Sequence, residues 1–308
     1  MAKNILITGA TGLVGQQLIP ELQRRGHHVA VLSRKQTTIK DAKVFIWDVY
    51  NQTIDANALN GIDTIINLAG EGIADEKWTE ERKKKIIDSR VLSAQLLYKS
   101  IIETKAAITT FISASAVGFY GDRGDEILTE TSAPGEGFLS DCCIAWENAA
   151  TQGIDIGIRV VKIRIGLILS KEGGALASIE KPIKYFVGAA LGSGKQWMPW
   201  IHLDDIIGIF ATAVENLNMA GPYNACSPFP VTNKLLTKTI AQKLNRPVWP
   251  LNVPKFALKT LLGEMSILPL MSNNTMVQKL LDTGYKFVYV NLDDALTSIY
   301  TQLPKENK

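Results

Sequence analysis

The sequence predicts an α/β protein: a doubly wound, mostly parallel sheet followed by a smaller C-terminal lobe. Two observations lead to this prediction. Up to about residue 165, short apolar runs alternate with segments of helical spacing, which is typical of a parallel sheet covered by helices on both faces. Beyond that point proline, glycine and aromatic residues become frequent, which predicts a less regular region.

The first element is an apolar run at Asn4–Thr8 that ends in glycine, which predicts a buried strand. Helical spacing then runs from Gly12 to a helix-stopping glycine at Gly26. Further strands are predicted at Val29–Leu32, Val44–Trp47, Asp63–Gly70, Thr110–Ser115 and Asp155–Leu169, and helices at Thr79–Thr104 and Leu139–Ala150.

The remaining segments complete the predicted domain organisation. Asp125–Gly137 is rich in glycine, proline and acids and predicts a loop, and Lys255–Tyr300 reads as mostly helical. We predict a first domain at 1–165, with a return strand near 221–227, and a smaller substrate-side region at 166–308.

Composition excludes several classes of partner. Apolar residues make up 46% and charged residues 20%, as in ordinary globular proteins, and 33 basic against 30 acidic residues give a net charge of +3. This balance argues against nucleic acid or an acidic membrane as a partner. The cysteines lack metal-ligand spacing, the chain starts in a strand rather than a leader, and no apolar run is long enough to span a bilayer. We expect a cytoplasmic protein without a metal.

The most specific local signal is the segment T-G-A-T-G-L-V-G between the first strand and the first helix. Gly9 allows a tight turn, Gly12 lets the backbone approach a pyrophosphate, and Gly15 lets helix and strand pack closely. The N–H groups and dipole of the helix N-terminus favour phosphate there. This pattern predicts a Rossmann dinucleotide-binding loop. The residues predicted to line it are Thr8, Gly9, Thr11, Gly12, Leu13, Val14 and Gly15.

The end of the second strand predicts which dinucleotide binds. NAD sites usually place an acid there, whereas this chain has Ser33, Arg34 and Lys35. Two cations and a hydroxyl suit a 2′-phosphate, so we predict NADP(H). Asp48, after the third strand, is a candidate for the adenine amino group or, equally, a residue that shapes the turn at the strand end.

Several motifs resemble those of the extended short-chain dehydrogenase/reductase superfamily. The glycine spacing and Asn67–Gly70 fit the superfamily as a whole. Three further stretches resemble its atypical "epimerase family" of NAD-dependent epimerase/dehydratase-like proteins, some bacterial members of which carry the label "cell division inhibitor": Ile112–Asp122, Gly192–Asp205, and Leu262–Met265 followed by Gly284–Phe287.

The resemblance covers nearly the whole chain and carries several expectations. It implies a Rossmann domain that binds NADP(H), a small C-terminal domain and a small-molecule substrate. Superfamily members often pair through the helices after the fourth and fifth strands, which implies a homodimer. Further cofactor contacts are implied at Leu68, Ala69, Gly70 and Ser113.

The superfamily's proton relay is incomplete in this sequence. Members use a serine together with a Tyr-x-x-x-Lys on the helix after the fifth strand, and Ser115 occupies the serine position. When that helix is aligned on Glu147, the tyrosine falls on Leu139 and the lysine on Cys143. Tyr120 is the nearest other phenol and a candidate proton donor, or else a packed loop tyrosine.

A second candidate region lies in the C-terminal part of the chain. Trp197, Trp200 and His202 precede Asp204 and Asp205, and an indole-rich segment before a histidine suits the wall of a substrate site. The alternative is structural, because an aspartate here would also cap the following helix.

Two functional hypotheses follow. The first is an NADP(H)-dependent oxidoreductase or epimerase-like enzyme that acts on a small polar substrate, for which the family's usual class is nucleotide-sugar-like. The second is a non-catalytic NADP(H)-binding protein with a regulatory or redox-sensing role. The glycine loop and the aromatic segment favour the first, and the missing tyrosine and lysine favour the second.

Overall fold

The structure is a computed structural model that describes residues 1–301. Its strands are β1 (Asn4–Thr8), β2 (His28–Ser33), β3 (Lys43–Asp48), β4 (Thr53–Ile54), β5 (Thr64–Asn67), β6 (Thr110–Ala116), β7 (Ile127–Leu128), β8 (Arg159–Ile165), β9 (Leu167–Leu169), β10 (Trp197–Met198), β11 (Trp200–His202), β12 (Gly221–Ala225), β13 (Val231–Thr232) and β14 (Asn274–Thr275). Its α-helices are α1 (Leu13–Arg24), α2 (Glu80–Thr104), α3 (Phe138–Thr151), α4 (Ala175–Lys184), α5 (Leu203–Glu215), α6 (Asn233–Lys243), α7 (Lys255–Leu262), α8 (Ile267–Leu270), α9 (Gln278–Leu281) and α10 (Leu292–Thr301).

The chain divides into two compact units. Unit 1 contains Met1–Phe119, Glu136–Arg164 and Ile207–Tyr223. Unit 2 contains Tyr120–Gly135, Ile165–Ile206 and the described chain from residue 224 onward. Each unit is therefore assembled from segments that are distant in sequence.

The principal sheet has eight strands in the order β12-β8-β6-β5-β1-β2-β3-β4. The pairs β1/β2, β1/β5, β2/β3 and β5/β6 are parallel, whereas the short β4 runs antiparallel to β3. From β1 the chain moves in one direction to β2 and β3, and it then returns to the other side of β1 with β5. The order reverses between β1 and β5, and ligands of doubly wound sheets bind beyond the carboxyl ends of the strands at such a point.

Local sequence signals account for the helix ends in unit 1. Helix α1 stops because Gly26 takes a positive φ of 84°, with its N–H bonded to Gln23 O at 2.9 Å. Helix α2 starts where the Thr79 side chain accepts the N–H of Arg82 at 3.1 Å. The predicted helix at 79–104 and the predicted stop at Gly26 are confirmed.

The core of unit 1 lies between the sheet and the helices. Leu6, Ile65 and Phe111 project from three neighbouring strands and pack with Leu97 and Ile101 of α2 in one buried cluster. Burial of such side chains stabilises a fold by about 1.5–3 kcal/mol each. The continuous apolar runs that predicted these strands reflect this burial on both faces.

Unit 2 contains three small strand pairs and its own core. β9 pairs with β11 and β7 with β14 in parallel, whereas β10 pairs antiparallel with β13. Trp200 is fully buried and belongs to the same apolar cluster as Leu236, Ile240 and Leu296. The unit therefore rests on a hydrophobic core distinct from that of unit 1.

Several predicted boundaries differ from the structure. The strand predicted at 155–169 begins only at Arg159, after a 3-10 helix at Gln152–Ile156, and Gly166 divides it into β8 and β9. An added Cβ at Gly166 would lie 2.2 Å from the Pro199 carbonyl oxygen. The predicted loop at 125–137 contains β7. The prediction of a mostly helical C-terminal region is only partly right, since in the described stretch between α8 and α10 only Gln278–Leu281 is helical. No helix within residues 1–301 combines the length and hydropathy needed to cross a bilayer.

The division into units also differs from the predicted domains at two segments. Tyr120–Gly135 falls inside the predicted first domain but belongs to unit 2. Ile207–Tyr223 belongs to unit 1, because it supplies most of α5 and the start of β12.

Candidate functional site

The turn after β1 depends on glycine at two positions. Gly9 has a φ of +68°, and a Cβ added there would lie 2.7 Å from the carbonyl carbon of Leu68. A Cβ on Gly15 would lie 2.5 Å from the Gly9 carbonyl oxygen. These distances leave no room for a side chain, so the predicted tight turn and close helix packing are both present.

Helix α1 begins with a residue that cannot cap it by a side chain. Its N-cap is Gly12, so no side-chain oxygen from the cap residue accepts an N–H group of the first turn. Leu13 and Val14 form that turn, and Thr11 and Gly12 are exposed. A helix start of this kind fits an anionic group, which would accept those N–H groups and interact with the positive end of the helix dipole.

Thr8 links β1 to β5, the two strands between which the strand order reverses. Its hydroxyl donates to Asn67 Oδ1 at 2.7 Å and accepts the N–H groups of Leu68 and Ala69 at 3.1 and 3.0 Å. These bonds use the one proton and both lone pairs of the hydroxyl. The fully buried hydroxyl therefore has no hydrogen-bonding capacity left for a cofactor, and it positions the Leu68–Gly70 turn beside the glycine turn. The predicted cofactor contact at Thr8 stays a prediction.

Arg34, the predicted phosphate-binding cation at the end of β2, forms an ion pair with Glu71 that the sequence did not predict. Arg34 Nη1 lies 2.8 Å from Glu71 Oε1, and Arg82 Nη1 lies 3.1 Å from the other oxygen of the same carboxylate. Burial raises the pKa of Glu71, but the hydrogen bonds from Arg34 and Arg82 outweigh it and leave the pKa below its usual value. The only sequence signal for this pairing is the position of Glu71, directly after the Asn67–Gly70 motif.

The neighbours of Arg34 have different roles. Ser33 Oγ donates to the Lys35 carbonyl at 2.7 Å and accepts the Lys35 N–H at 3.2 Å, so the hydroxyl shapes the turn. The Lys35 side chain is exposed and makes no ion pair with a described residue. Two cations therefore stand at this strand end, of which Arg34 already has an acidic partner.

Asp48 shapes the turn at the end of β3. One carboxylate oxygen accepts the N–H groups of Tyr50 and Asn51 at 2.9 and 3.0 Å, and the other accepts the Asn51 side-chain amide at 2.8 Å. Hydrogen bonds from Asn51 and Tyr50 lower the pKa of Asp48. Of the two interpretations left open by the sequence, this geometry favours the turn over contact with adenine.

Ser115 belongs to a buried ionic network rather than to an open surface. Its hydroxyl donates to Glu147 Oε1 at 2.8 Å, and the same carboxylate binds Arg164 with Nε–Oε1 and Nη2–Oε2 distances of 2.7 and 2.9 Å. Lys162 Nζ lies 3.3 Å from Glu147 Oε2, and the Arg164 guanidinium stacks 3.6 Å from the centre of the Phe119 ring. Because the Ser115 proton already goes to Glu147, its oxygen can offer a ligand only a lone pair.

Ser113 lies two residues earlier on the same strand. Its side chain is buried, and its hydroxyl donates to the Ala114 carbonyl at 2.9 Å. The implied contact between Ser113 and a cofactor stays a prediction.

The helix positions of the missing relay are apolar in structure as well as in sequence. A Cβ added at Gly118 would lie 3.5 Å from the Leu139 Cβ and 3.7 Å from the Cys143 Sγ, so both side chains pack against the segment that follows β6. Burial raises the pKa of Cys143 to about 12, so the thiol stays neutral at physiological pH. The pKa of Cys142 is raised for the same reason.

Tyr120, the alternative proton donor, lies in unit 2. Its side chain is fully buried, and its hydroxyl donates to Asn224 Oδ1 at 2.6 Å. The Asn224 amide donates in turn to the Met276 carbonyl at 2.9 Å, which ties three segments of the unit together. To transfer a proton, the Tyr120 hydroxyl would have to give up its hydrogen bond to Asn224 and bond to a substrate instead. This role stays a prediction.

The predicted substrate-side residues differ in accessibility. Trp197 keeps some exposed surface and donates from Nε1 to Asp125 at 2.8 Å, whereas Trp200 is a core residue whose indole donates to the Phe229 carbonyl at 3.1 Å. Of the two indoles, only Trp197 offers surface to a ligand in this conformation.

His202 is buried within unit 2. Its Nδ1 accepts the N–H of Asp204 at 3.1 Å, so the imidazole itself caps the start of α5, and its ring lies 4.0 Å from that of Tyr289. Burial lowers the pKa of His202, which keeps the ring neutral. Asp205 instead accepts the N–H groups of Val288 and Tyr289 at 2.7 and 3.0 Å. Among residues 1–301, no group of three His, Cys, Asp or Glu could hold a metal ion.

Two family models match this chain. The NAD dependent epimerase/dehydratase family matches residues 5–226, and a domain of unknown function, DUF1731, matches residues 253–299. The epimerase family protein YfhF of Bacillus subtilis is 39% identical over 299 residues, which cover 96% of this chain and 97% of that protein. An epimerase family protein of Staphylococcus aureus strain N315 is 35% identical over 301 residues, which cover 96% and 99% of the two chains.

Solved structures show the same likeness. The crystal structure of the human epimerase family protein SDR39U1 with NADPH has a TM-score of 0.85 at 28% identity and covers 97% of this chain and all of that one. The nucleoside-diphosphate sugar epimerase from Corynebacterium glutamicum has a TM-score of 0.79 at 34% identity and covers 97% of this chain and 58% of that one. These likenesses extend over both units of the chain.

Proposed function

This chain belongs to the NAD-dependent epimerase/dehydratase family, and we propose that it binds NADP(H) and catalyses hydride transfer to or from a small polar substrate. The observation that carries the proposal is the juxtaposition of Gly9 and Leu68 at the point where the strand order reverses, with Arg34 and Lys35 at the next strand end. Fold alone would not support it, because function depends on the site.

The residues of unit 1 fit a dinucleotide phosphate. The N–H groups at the start of α1 would hold the pyrophosphate, and the exposed Gly12 leaves the backbone there accessible. When bound, the nicotinamide ring supplies a hydride donor or acceptor. The chain's own contribution is to bind and orient that group beside β5 and β6.

The 2′-phosphate is the feature that distinguishes NADP from NAD. Arg34 and Lys35 outnumber the single carboxylate, Glu71, that contacts Arg34. A guanidinium binds a phosphate through paired hydrogen bonds, so Arg34 would interact more strongly with a 2′-phosphate than with a ribose hydroxyl. The NADPH in the structure of human SDR39U1 supports this assignment by similarity.

Replacement of Arg34 by Gln is expected to weaken NADPH binding about tenfold or more and to leave NADH binding unchanged, because a hydrogen bond to a charged group contributes about 1.5–3 kcal/mol. Isothermal titration calorimetry with both dinucleotides measures the effect. Arg24→Gln is the matched control, because Arg24 is an equally exposed arginine that also pairs with a glutamate, with 70% of its side chain exposed against 67% for Arg34.

One result would count against the assignment, and a second would change the role given to Glu71. If wild-type protein binds NADH as tightly as NADPH, Arg34 does not select a phosphate. If Glu71→Gln weakens NADPH binding rather than strengthening it, the carboxylate holds Arg34 in its binding position instead of competing with the phosphate, and only the positional part of the argument changes.

The reaction itself depends on a proton relay that differs from the superfamily pattern. Leu139 cannot carry a proton, and the buried Cys143 thiol cannot replace a cation. Ser115 and Tyr120 stay the predicted candidates for proton transfer.

For the substrate we propose a nucleotide-sugar-like compound, because the similar structure from Corynebacterium glutamicum is that of a nucleoside-diphosphate sugar epimerase.

The missing tyrosine and lysine of the proton relay favour a second candidate function, that of a non-catalytic NADP(H)-binding regulator or redox sensor. A panel of nucleotide sugars and small carbonyl compounds, followed by cofactor absorbance and product chromatography, separates the two. An enzyme converts many equivalents of one compound, and Ser115→Ala or Tyr120→Phe slows that conversion. A sensor binds NADPH without turnover, and its affinity for a protein partner differs between NADPH and NADP⁺.

A further inference from the structure

Arg90 is a half-buried cation without an acidic partner. It lies on α2, and its Nη1 and Nη2 donate to the backbone carbonyls of Ile86 and Glu71 at 2.8 and 3.0 Å. No ion pair joins it to a carboxylate within residues 1–301. Arg82, also on α2, does pair with a glutamate. A desolvated cation is costly unless it is paired, so the position of Arg90 calls for an anion.

The surroundings of Arg90 connect the glycine turn with α3. A Cβ added at Gly70 would lie 3.0 Å from the Arg90 Cζ, so the guanidinium lies against the Leu68–Gly70 turn. That turn lies against Gly9. On its other side the guanidinium lies 4.8 Å from the ring centre of Trp146, one turn after Cys143. Arg90 therefore stands between the phosphate-binding turn and the helix that lacks its lysine.

The guanidinium also has capacity left for a ligand. Arginine carries five N–H donors, and two of them are used in the described part of the chain. Trp146 adds a buried indole N–H that no described residue accepts. The Arg90 guanidinium and the Trp146 indole, which are in contact, thus both have N–H donors without an acceptor among the described residues.

We propose that Arg90 binds the nicotinamide-side phosphate of the dinucleotide and supplies from α2 the positive charge that Cys143 does not supply from α3. The inference rests on the proposed binding of NADP(H) and goes beyond it by naming a phosphate contact outside the glycine loop. Arg34 and Arg90 would then divide the recognition of one ligand between its two ends.

Ligand fragments test this division. Adenosine 2′,5′-bisphosphate contains the adenosine-side phosphates of NADPH but lacks the nicotinamide-side phosphate. Arg90→Gln is expected to weaken NADPH binding about ten- to hundredfold and to leave binding of the bisphosphate unchanged. Arg34→Gln is expected to weaken both. Lys99→Gln, an exposed substitution on the same helix, serves as the control and should change neither.

Calorimetry and thermal unfolding together decide the outcome. Arg90→Lys keeps the charge but loses the planar fork, so NADPH affinity between those of wild type and Arg90→Gln supports the inference, as does an unchanged melting temperature without ligand. Wild-type NADPH affinity in both variants overturns it, and so does an equal loss for both ligands, because Arg90 would then act by shaping the turn. Failure of the wild-type protein to bind NADPH would instead overturn the proposed function, and this inference with it.

Discussion

Replacement of Gly9 by Ala is expected to abolish NADPH binding and to destabilise unit 1 by several kcal/mol. An L-residue at the φ of +68° costs about 1–2 kcal/mol, and overpacking typically adds about 1–3 kcal/mol. The added Cβ would lie 2.7 Å from both the carbonyl carbon and the carbonyl oxygen of Leu68, which are backbone atoms and cannot rotate away. The Leu68–Gly70 turn must move, and with it the surface beside the glycine loop.

Gly26→Ala is the matched control for this prediction. Gly26 also has a positive φ, of 84°, but an added Cβ there would meet no atom within 4 Å. It should therefore lose only the backbone contribution of about 1–2 kcal/mol and keep wild-type NADPH affinity. Urea denaturation and calorimetry of the two variants measure both effects. Equal destabilisation, or retained NADPH binding by Gly9→Ala, would show that the contact with Leu68 is not what requires glycine.

The glycine turn could be predicted because the signal is local. A strand, three glycines at fixed spacing and a helix occupy residues 4–24, and the spacing predicts a separate steric reason for each glycine. The helix that starts at Thr79 and the stop at Gly26 were predictable on the same basis. In these cases the residues that determine the structure are neighbours in the chain.

The ionic partners in the site could not be predicted, because they are distant in sequence. Glu71 lies 37 residues from Arg34 and 11 from Arg82. Arg34 and Glu71 meet because β2 and β5 both pair with β1, and Arg82 reaches the same carboxylate from α2. The helix of the proton relay could be aligned on Glu147, but nothing in the sequence predicted the hydrogen bond between Glu147 and Ser115, which lie 32 residues apart. A charged residue does not reveal its partner until the fold is known.

Burial of the aromatic residues was the second feature that sequence could not give. Tyr120 and Trp200 lie in motifs typical of a functional surface, yet both are fully buried in unit 2. Tyrosine and tryptophan combine a large apolar body with one polar atom, so the same residue serves a binding wall or a core with an internal hydrogen bond. The packing of segments distant in sequence buries both residues, and their sequence motifs alone do not predict that burial.

The second large effect is expected at Glu147, whose replacement by Gln should destabilise the protein by about 3–5 kcal/mol, as is typical when one partner of a buried ion pair is removed. The change leaves Arg164, with 4% of its side chain exposed, without its counter-charge. Urea denaturation measures the difference. The effect should depend on pH, because the Glu147 carboxylate is stabilised in the folded state.

The direction of that pH dependence follows from the pKa of Glu147. Burial raises this pKa, but the hydrogen bond and charge of Arg164, with Lys162 and Ser115, outweigh burial and hold it below its usual value of 4.5. A carboxyl whose pKa is lower in the folded state contributes stability above pH 4.5 and loses that contribution as the pH falls through the folded pKa. The difference in stability between wild type and Glu147→Gln should therefore shrink in acid.

Two further variants separate charge from packing. Ser115→Ala removes one hydrogen bond and leaves the ion pair intact, so the expected loss is smaller, about 1–3 kcal/mol. The double replacement Glu147→Leu with Arg164→Met removes both charges and should recover most of the stability lost by Glu147→Gln, because buried ion pairs are often no more stabilising than apolar residues of similar volume. If the double variant is instead less stable than Glu147→Gln, or if Glu147→Gln unfolds like wild type at neutral pH, uncompensated charge is not the cause. The second result would show that the Glu147–Arg164 pair has a role other than stability, and that role would be sought first at the hydroxyl of Ser115, which donates to the same carboxylate.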